Sequence, residues 1–600
     1  MYIEKRKVSQ QEIKRLSLTA NIIIIVLFIA LFFSFWYIQV LQNQYFTDLA
    51  NQNIRKEIEI KAPRGLILDR YHKRLSENKI NFNLFLVREY AQDMKQTTTA
   101  AAALTGLSEE EFKKNIDKYK DFPLSFAIPI KRDLSLAKVI YIESRSDEFP
   151  EFEINIEPAR AYPKKELASH ILGYISELAP SELKKKTKEG YKLGDVIGKS
   201  GVEKEYESYL RGVNGVRTVV KDNMGKVQEI LGEKAPTIGS SVVLTIDLEL
   251  QEYIEDIFKE HKGTVGVVDL RSGGILAMVS KPNFNPEFFS GPLDPEEWSA
   301  LVNDPDKPLH NKFLQGLYLP GSVFKIVMAL AGLSEKAVTT STISSCYGHI
   351  QIYDRVFHCW NRSGHGDMNI YDALKNSCNI YFYRLGKKLD IDVIARYAEM
   401  LGLGRMTHID LPNEKEGLFP TTEWKQRELG QKWFPGETIS VAIGGGMMTV
   451  TPAQLLTMIS TVALRGKKPR LHILKQIENK GEVVKKYKPE FEEVPIDKAY
   501  FEIVIEGLHR VVNDGGTGRA ARIEDLDICG KTGTQLILSL ENPNYKQLVK
   551  QKRFMPHSWF VSFAPREKPE IAMVVFVENG GDAGAIAAPI ARKIYMKIFH

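Results

Sequence analysis

The chain has 600 residues, 44% hydrophobic and 26% charged, which is globular composition rather than disordered and leaves room for more than one domain. Lys plus Arg number 81 against 75 Asp plus Glu, and a net charge of +6 is too small at this length to suggest nucleic-acid binding. Half of that excess sits in residues 1–15, where Lys5, Arg6, Lys7, Lys14 and Arg15 outnumber Glu4 and Glu12.

From Leu18 to Val40 the chain is apolar and uncharged, about the 20 residues needed to cross a hydrocarbon core of about 30 Å. Trp36 and Tyr37 stand at its far end as interfacial anchors. The basic flank predicts a cytoplasmic tail (1–17), a single membrane-spanning helix (18–40) and everything after Val40 on the outer face of the membrane. A cleaved signal peptide fits poorly, because the apolar stretch is too long and no A-x-A-like site follows.

A short helix is expected over Tyr45–Arg55. Lys61-Ala-Pro-Arg-Gly-Leu-Ile-Leu-Asp-Arg70 then turns at Pro63 and Gly65 into a strand and hairpin, and read on its own it is a charged turn with Arg64 or Arg70 paired to Asp69. Residues 80–160 alternate short apolar runs with charged helical ones, a small α+β region. Arg160-Ala-Tyr-Pro163 follows, then His170 and Gly173, then Gly198-Lys-Ser-Gly201-Val-Glu203 through Tyr206 and Leu210-Arg-Gly212; His170 reads as a satisfied structural histidine. Thr218–Thr237, with Gly225 and Gly232, reads as a β-ribbon.

A second module opens at Ser241. Leu244-Thr-Ile-Asp247 precedes an amphipathic helix over Leu248–Lys259, and two strands are expected at Thr264–Leu270 and Ile275–Ser280 around a turn at Arg271–Gly274. The far end supplies strands near Asp527–Leu536, Ser558–Ala564 and Ile571–Val577 and a closing helix from Ala585. The periodicities give a mixed α/β fold.

Between these ends lies Tyr318-Leu-Pro-Gly-Ser-Val-Phe-Lys325. A Pro-Gly turn leads into a run, Ser322–Leu333, that is apolar on every side, the pattern of a fully buried helix. Lys325 is the only charge between Lys312 and Glu335, and a buried lysine is costly unless it is paired or used. Three residues apart on a helix, Ser322 and Lys325 share a face, and burial favours the neutral amine that can take a proton from the hydroxyl. Ser377-Cys-Asn379 and Lys531-Thr-Gly-Thr534 follow in order.

S-x-x-K, S-x-N and K-T-G in this order form the signature of penicillin-binding proteins and serine β-lactamases. The last 360 or so residues resemble a penicillin-interacting transpeptidase, and the boxes at Arg64–Arg70, Arg160–Pro163 and Gly198–Gly212 resemble the non-catalytic pedestal of class B penicillin-binding proteins. Nothing resembles the acidic glycosyltransferase motif of class A enzymes. The resemblance implies a pedestal (dimerisation-like) domain over 41–237 and a transpeptidase domain over 238–600, with an antiparallel sheet flanked by helices and the K-T-G strand edging the cleft. It also implies roles: Ser322 attacks the bond between two D-alanines of a peptidoglycan stem peptide, Lys325 is the base and Ser377 the proton relay. Asn379 would bind the substrate backbone, Lys531 would attract the terminal carboxylate, Thr532 and Thr534 would hydrogen-bond it across Gly533, and the N–H groups of Ser322 and Thr534 would hold the oxyanion. Trp559 and His557 read as packing residues beside the cleft. β-Lactams are the implied inhibitors, and no organic cofactor is implied. Gly444-Gly-Gly446 and Gly516-Thr-Gly518 depart from the family's glutamine-containing and G-T-A loops. A β-lactam receptor or scaffold, and a D,D-carboxypeptidase or β-lactamase hydrolase, are the alternatives.

Three of the four cysteines, Cys346, Cys359 and Cys378, fall within 33 residues, with His365 among them. Three thiols and an imidazole suit a closed, structural Zn²⁺ site; the alternative is a Cys346–Cys359 disulfide with Cys378 buried. The C-W-x-x-x-G-H-G segment resembles the elongation-specific group, penicillin-binding protein 2, some members of which carry a metal here with aspartates in place of two cysteines. That resemblance implies a SEDS-family glycosyltransferase partner and a rod-shape-associated elongation complex. Cys529 reads as a small buried hydrophobe.

Overall fold

The computed structural model describes residues 9–192, 194–222, 227–291, 295–537 and 544–600. Residues 1–8, with three of the five N-terminal basic side chains, and Gly225 of the expected ribbon lie outside them. By its contacts the chain divides into two units: Met1–Ala62, Asn81–Glu157 and Val213–Thr237 form one, and Pro63–Ile80, Pro158–Gly212 and Ile238–His600 the other.

In the first unit an apolar helix spans Gln10–Trp36 and ends in a π-helical turn, Tyr37–Leu41. It starts ahead of the apolar run because Ser9 caps Glu12 N–H while the Glu12 carboxylate caps Ser9 N–H, a reciprocal pair that fixes the first turn. Among the described residues it is the one helix long and apolar enough to cross a membrane. A second helix, Asn43–Ile54, leads into an antiparallel sheet of Arg55–Ile60, Gly215–Lys221 and Val227–Lys234, which contains the expected ribbon. Residues 81–157 make the small α+β body: strands Glu77–Val87, Ala127–Lys131 and Phe152–Ala161 and three helices enclose Leu84, Leu86, Phe112, Ile128 and Phe152.

In the second unit the expected strands form one antiparallel sheet: β1 Gly263–Asp269, β2 Gly274–Lys281, β3 Cys529–Gln535, β4 His557–Ala564 and β5 Ile571–Val577, in the order β2-β1-β5-β4-β3. Alternation decides its faces. Val265, Val267, Met573 and Val575 pack under helices Leu248–Ile257 and Ala587–Phe599, while Val561, Val574 and Phe576 face the buried helices Lys325–Ser334 and Pro452–Ala463. Each such side chain contributes about 1.5–3 kcal/mol by burial, and β3 is one of the two edge strands of the sheet.

The segment Pro63–Ile80 pairs its charges differently from the sequence expectation. Arg64 pairs not with Asp69 but with Glu203, Nε to Oε2 at 2.7 Å, and with Glu207; Arg160 Nε meets the other Glu203 oxygen at 2.6 Å. Asp69 instead accepts the backbone N–H groups of Tyr71, Lys73 and Leu248. The reason is burial: Glu203 and Asp69 are both 0% exposed, so one needs cationic partners and the other a full set of donors. The expected strand survives as Ile67–Leu68, parallel to Ser241–Leu244. His170 is buried against Phe284 with Nε2 3.3 Å from the Pro282 carbonyl, and burial pushes it down to about 4.

Candidate active site

The run from Ser322 is not one continuous helix. Gly321–Phe324 is a single 3₁₀ turn and the α-helix begins at Lys325, because Gly321 sits in the left-handed region at φ +52° and winds the chain tightly as it enters. The turn is pinned from three sides. Trp559 Nε1 donates to Leu319 O at 3.1 Å, Tyr318 OH donates to Glu578 at 2.7 Å, and Gly321 N–H donates to Gly444 O at 3.1 Å. Gly444 tolerates no side chain: its φ is +80°, and a Cβ would lie 1.9 Å from Gly321 O. The glycine-rich loop therefore braces the turn that carries Ser322.

Lys325 is 0% exposed, as its solitary position in an apolar run predicts. Its amine donates to Asn379 Oδ1 at 2.7 Å, Ser377 O at 2.8 Å and Ser377 Oγ at 3.2 Å. Among the described residues no hydrogen bond joins it to Ser322; its bonds run to the S-x-N motif. Burial pushes the amine down to about 8 against the pull of the nearby Cys378 and Cys359 sulfurs. Lys531 is equally buried and donates to Ser377 Oγ and Thr532 O, both at 3.0 Å; burial first, then the Lys325 charge, hold it well below the ordinary lysine range. Two lysines thus meet on one hydroxyl. With both lone pairs taken, Ser377 keeps its own O–H free to donate elsewhere.

On β3, Thr534 is exposed, but Thr532 is buried and shares a 2.7 Å hydrogen bond with Thr517 Oγ1. The two threonines of the motif therefore differ in access. Gly533 allows strand and turn to touch, since a Cβ there would lie 2.8 Å from Val323 Cγ2 and 3.0 Å from Pro320 O. Trp559 is fully buried against Phe576, and His557 Nδ1 accepts Asn579 N–H at 2.9 Å, so both rings are packed. Thr517 was not singled out in the sequence; its place in the Gly516-Thr-Gly518 loop was the available signal.

The ligand atoms of Cys346, Cys359, His365 and Cys378 all lie within 4.8 Å of one another, and all four cysteines of the chain are free thiols. The Cys346–Cys359 disulfide is therefore not formed. His365 Nδ1 is 3.6 Å from Cys346 Sγ and 3.5 Å from Cys359 Sγ, against about 3.6 Å for the S–N edge of a tetrahedron with zinc's bond lengths. The four donors fit a tetrahedral metal ion. Cys359 and Cys378 share a sulfur hydrogen bond that lowers the first thiol and raises the second, as two thiols sharing one negative charge would. Cys529 is buried elsewhere and its thiol is pushed up by burial.

Comparison with known proteins gives two family matches: the penicillin binding protein transpeptidase domain over residues 263–596 and the penicillin-binding protein dimerisation domain over residues 59–244. The peptidoglycan D,D-transpeptidase MrdA of Haemophilus influenzae is 32% identical over 98% of this chain and 92% of its own length. MrdA of Escherichia coli K12 is 31% identical over 92% of this chain and 89% of its own length. A solved complex between penicillin-binding protein PBP2 and MreC from Helicobacter pylori superposes with a TM-score of 0.79, at 26% identity over 91% of this chain and 100% of that one. A peptidoglycan synthase complex that coordinates polymerization and crosslinking contains a chain with a TM-score of 0.70, at 31% identity over 97% of both.

Proposed function

The chain belongs to the penicillin-binding proteins, class B, of the PBP2 type, and from that premise we propose how it works as the peptidoglycan D,D-transpeptidase of cell-wall elongation. The observation that carries the mechanism is the meeting of Lys325, Asn379 and Lys531 around Ser377, beside the turn that holds Ser322.

Ser322 Oγ attacks the carbonyl between two D-alanines of a stem peptide while its proton passes to the free-base Lys325. The N–H groups of Ser322 and Thr534 receive the oxyanion. The C–N bond breaks as Ser377 passes the proton from Lys325 to the departing D-alanine amine; an amine of a second stem peptide then attacks the ester carbonyl, its proton goes by way of Lys325 to Ser322 Oγ, and the ester C–O bond breaks to leave the amide crosslink and the free serine. Asn379 binds the peptide backbone. Thr534, with Gly533 bringing the strand close, receives the terminal carboxylate, with Thr532 behind it; Lys531, held on Ser377 Oγ and Thr532 O, attracts it when protonated.

The Cys346, Cys359, His365 and Cys378 set would hold a structural zinc, which would contribute cross-linking rather than chemistry, tying the 346–365 segment to the S-x-N turn. The apolar helix anchors the chain in the membrane, and the basic flank supports a cytoplasmic N-terminus with both domains, 41–237 and 238–600, outside. The relatives solved with MreC and in a synthase complex support an elongation assembly with a SEDS-family polymerase.

The test is labelling of the full chain with fluorescent penicillin. A long-lived adduct that disappears in Ser322→Ala, with crosslinked dimers formed from stem-peptide substrate, is the expected result. An adduct that persists without Ser322 refutes the assignment, rapid turnover makes the protein a hydrolase, and adduct without dimers makes it a receptor.

A further inference from the structure

Trp360 is more than half exposed, at 55%, beside the buried Ser377 and Lys325. Its ring does little for the core, yet its indole N–H is tied down: Nε1 lies 3.1 Å from Ser377 O and 3.1 Å from Asn376 O. Indole nitrogen only donates, so this bond has one sense. Ser377 O is also the carbonyl that receives the Lys325 amine at 2.8 Å. Ser377 stands at φ +50°, a left-handed conformation that costs free energy for any side chain and persists only where its surroundings over-determine it.

The neighbours of Trp360 do the same for the rest of the motif. His358 O accepts Asn379 Nδ2 and Tyr383 OH, each at 3.4 Å, and Cys359 shares the sulfur cluster with Cys378. Three consecutive residues, His358, Cys359 and Trp360, therefore grip Asn379, Cys378 and Ser377 in reverse order.

We propose that Trp360 is a positioning residue for acyl transfer: its indole N–H fixes the left-handed Ser377 turn, and through the shared carbonyl it fixes where the Lys325 amine points. The inference rests on the reading of Ser322 as nucleophile and Lys325 as its base. Displacements of about 1 Å in such groups cost about a hundredfold in rate, and without the indole the Ser377 carbonyl is held only by the Lys325 amine, the group it has to position.

The test uses the full chain in detergent, with Trp360→Phe and with Trp360 replaced by 3-benzothienylalanine, which keeps both rings and exchanges the N–H for sulfur. Acylation by fluorescent penicillin is resolved into a saturation constant and a first-order acylation constant. The acylation constant should fall tenfold or more in both variants, with the saturation constant within twofold of wild type and with metal content and melting temperature unchanged. An acylation constant within twofold of wild type in the benzothienyl variant overturns the proposal. So does a fall that tracks lost metal or lost folded protein, or a rise in the saturation constant alone, which would make the ring a ligand-binding wall. A second readout needs no turnover. The chain has six tryptophans, and in ¹⁵N-indole spectra the signal missing from Trp360→Phe should resist deuterium exchange despite its exposed ring; fast exchange refutes the bond. Wild-type protein that is not acylated at Ser322 would count against the functional reading, whereas the indole signal judges Trp360 independently.

Discussion

Burial moves the Lys325 amine from 10.5 to about 8, so at pH 7 it raises the free-base share by about 300-fold over an exposed lysine. If Lys325 takes the Ser322 proton, only that free base is active. The sign follows: acylation should climb close to tenfold per unit of pH below 8, about fifty-fold between pH 6 and 8, and level off above. The measurement is the first-order acylation constant with fluorescent penicillin from pH 5.5 to 9.5, corrected for spontaneous hydrolysis of the drug. Lys325→Arg serves as the companion variant. Arginine keeps the positive charge but does not release its proton, so it should abolish the pH-dependent rise along with nearly all acylation. A flat profile, a profile that falls with pH, or an arginine variant within tenfold of wild type would refute the assignment of Lys325 as base.

Three further outcomes follow from particular side chains. Glu203→Gln leaves Arg64 and Arg160 without their shared carboxylate and should cost about 3–5 kcal/mol, read as early unfolding in a thermal scan; a loss below about 1 kcal/mol would show the pair is not needed. His170 is held at about 4 in the fold against 6.5 free, so it stays neutral there while the unfolded chain takes up a proton. Stability should therefore be intact above pH 6.5 and fall by about 3 kcal/mol by pH 4, and His170→Phe should flatten that part of the melting profile. Elemental analysis should find one zinc per chain, and chelation should expose the thiols of Cys346, Cys359 and Cys378 to titration and slow acylation. Protein with no metal and a Cys346–Cys359 disulfide would remove the metal site.

What was legible in the sequence divides along physical lines. Strands and helices were readable from run length and period: Ile571–Val577 is an apolar run buried on both faces, and the 248 helix repeats its one buried face. Lys325 was readable because an isolated charge in an apolar run has to be paid for by a partner. Long-range partners were not. Arg64 lies 139 residues from Glu203, and the nearer Asp69 looked like its mate only because sequence distance was all there was to judge by. The strand expected after Gly65 is only two residues long, Ile67–Leu68, and its parallel pairing with Val242 and Val243 lay beyond any local pattern.

The same limit explains the site. S-x-x-K spacing placed Ser322 and Lys325 on one face of a helix, but Gly321 converts the first turn to 3₁₀ and the amine finds its partners on the S-x-N turn instead. A motif fixes which groups meet; the backbone decides which atoms bond. Ser377, with φ +50°, shows the difference most clearly. In the sequence it is one serine before a cysteine, whereas in the fold its carbonyl and hydroxyl receive two buried lysines and an indole. Burial lowers both lysines, and the Lys325 charge adds to the effect on Lys531, so a free base on the Ser377 turn follows from how deeply the fold places these amines.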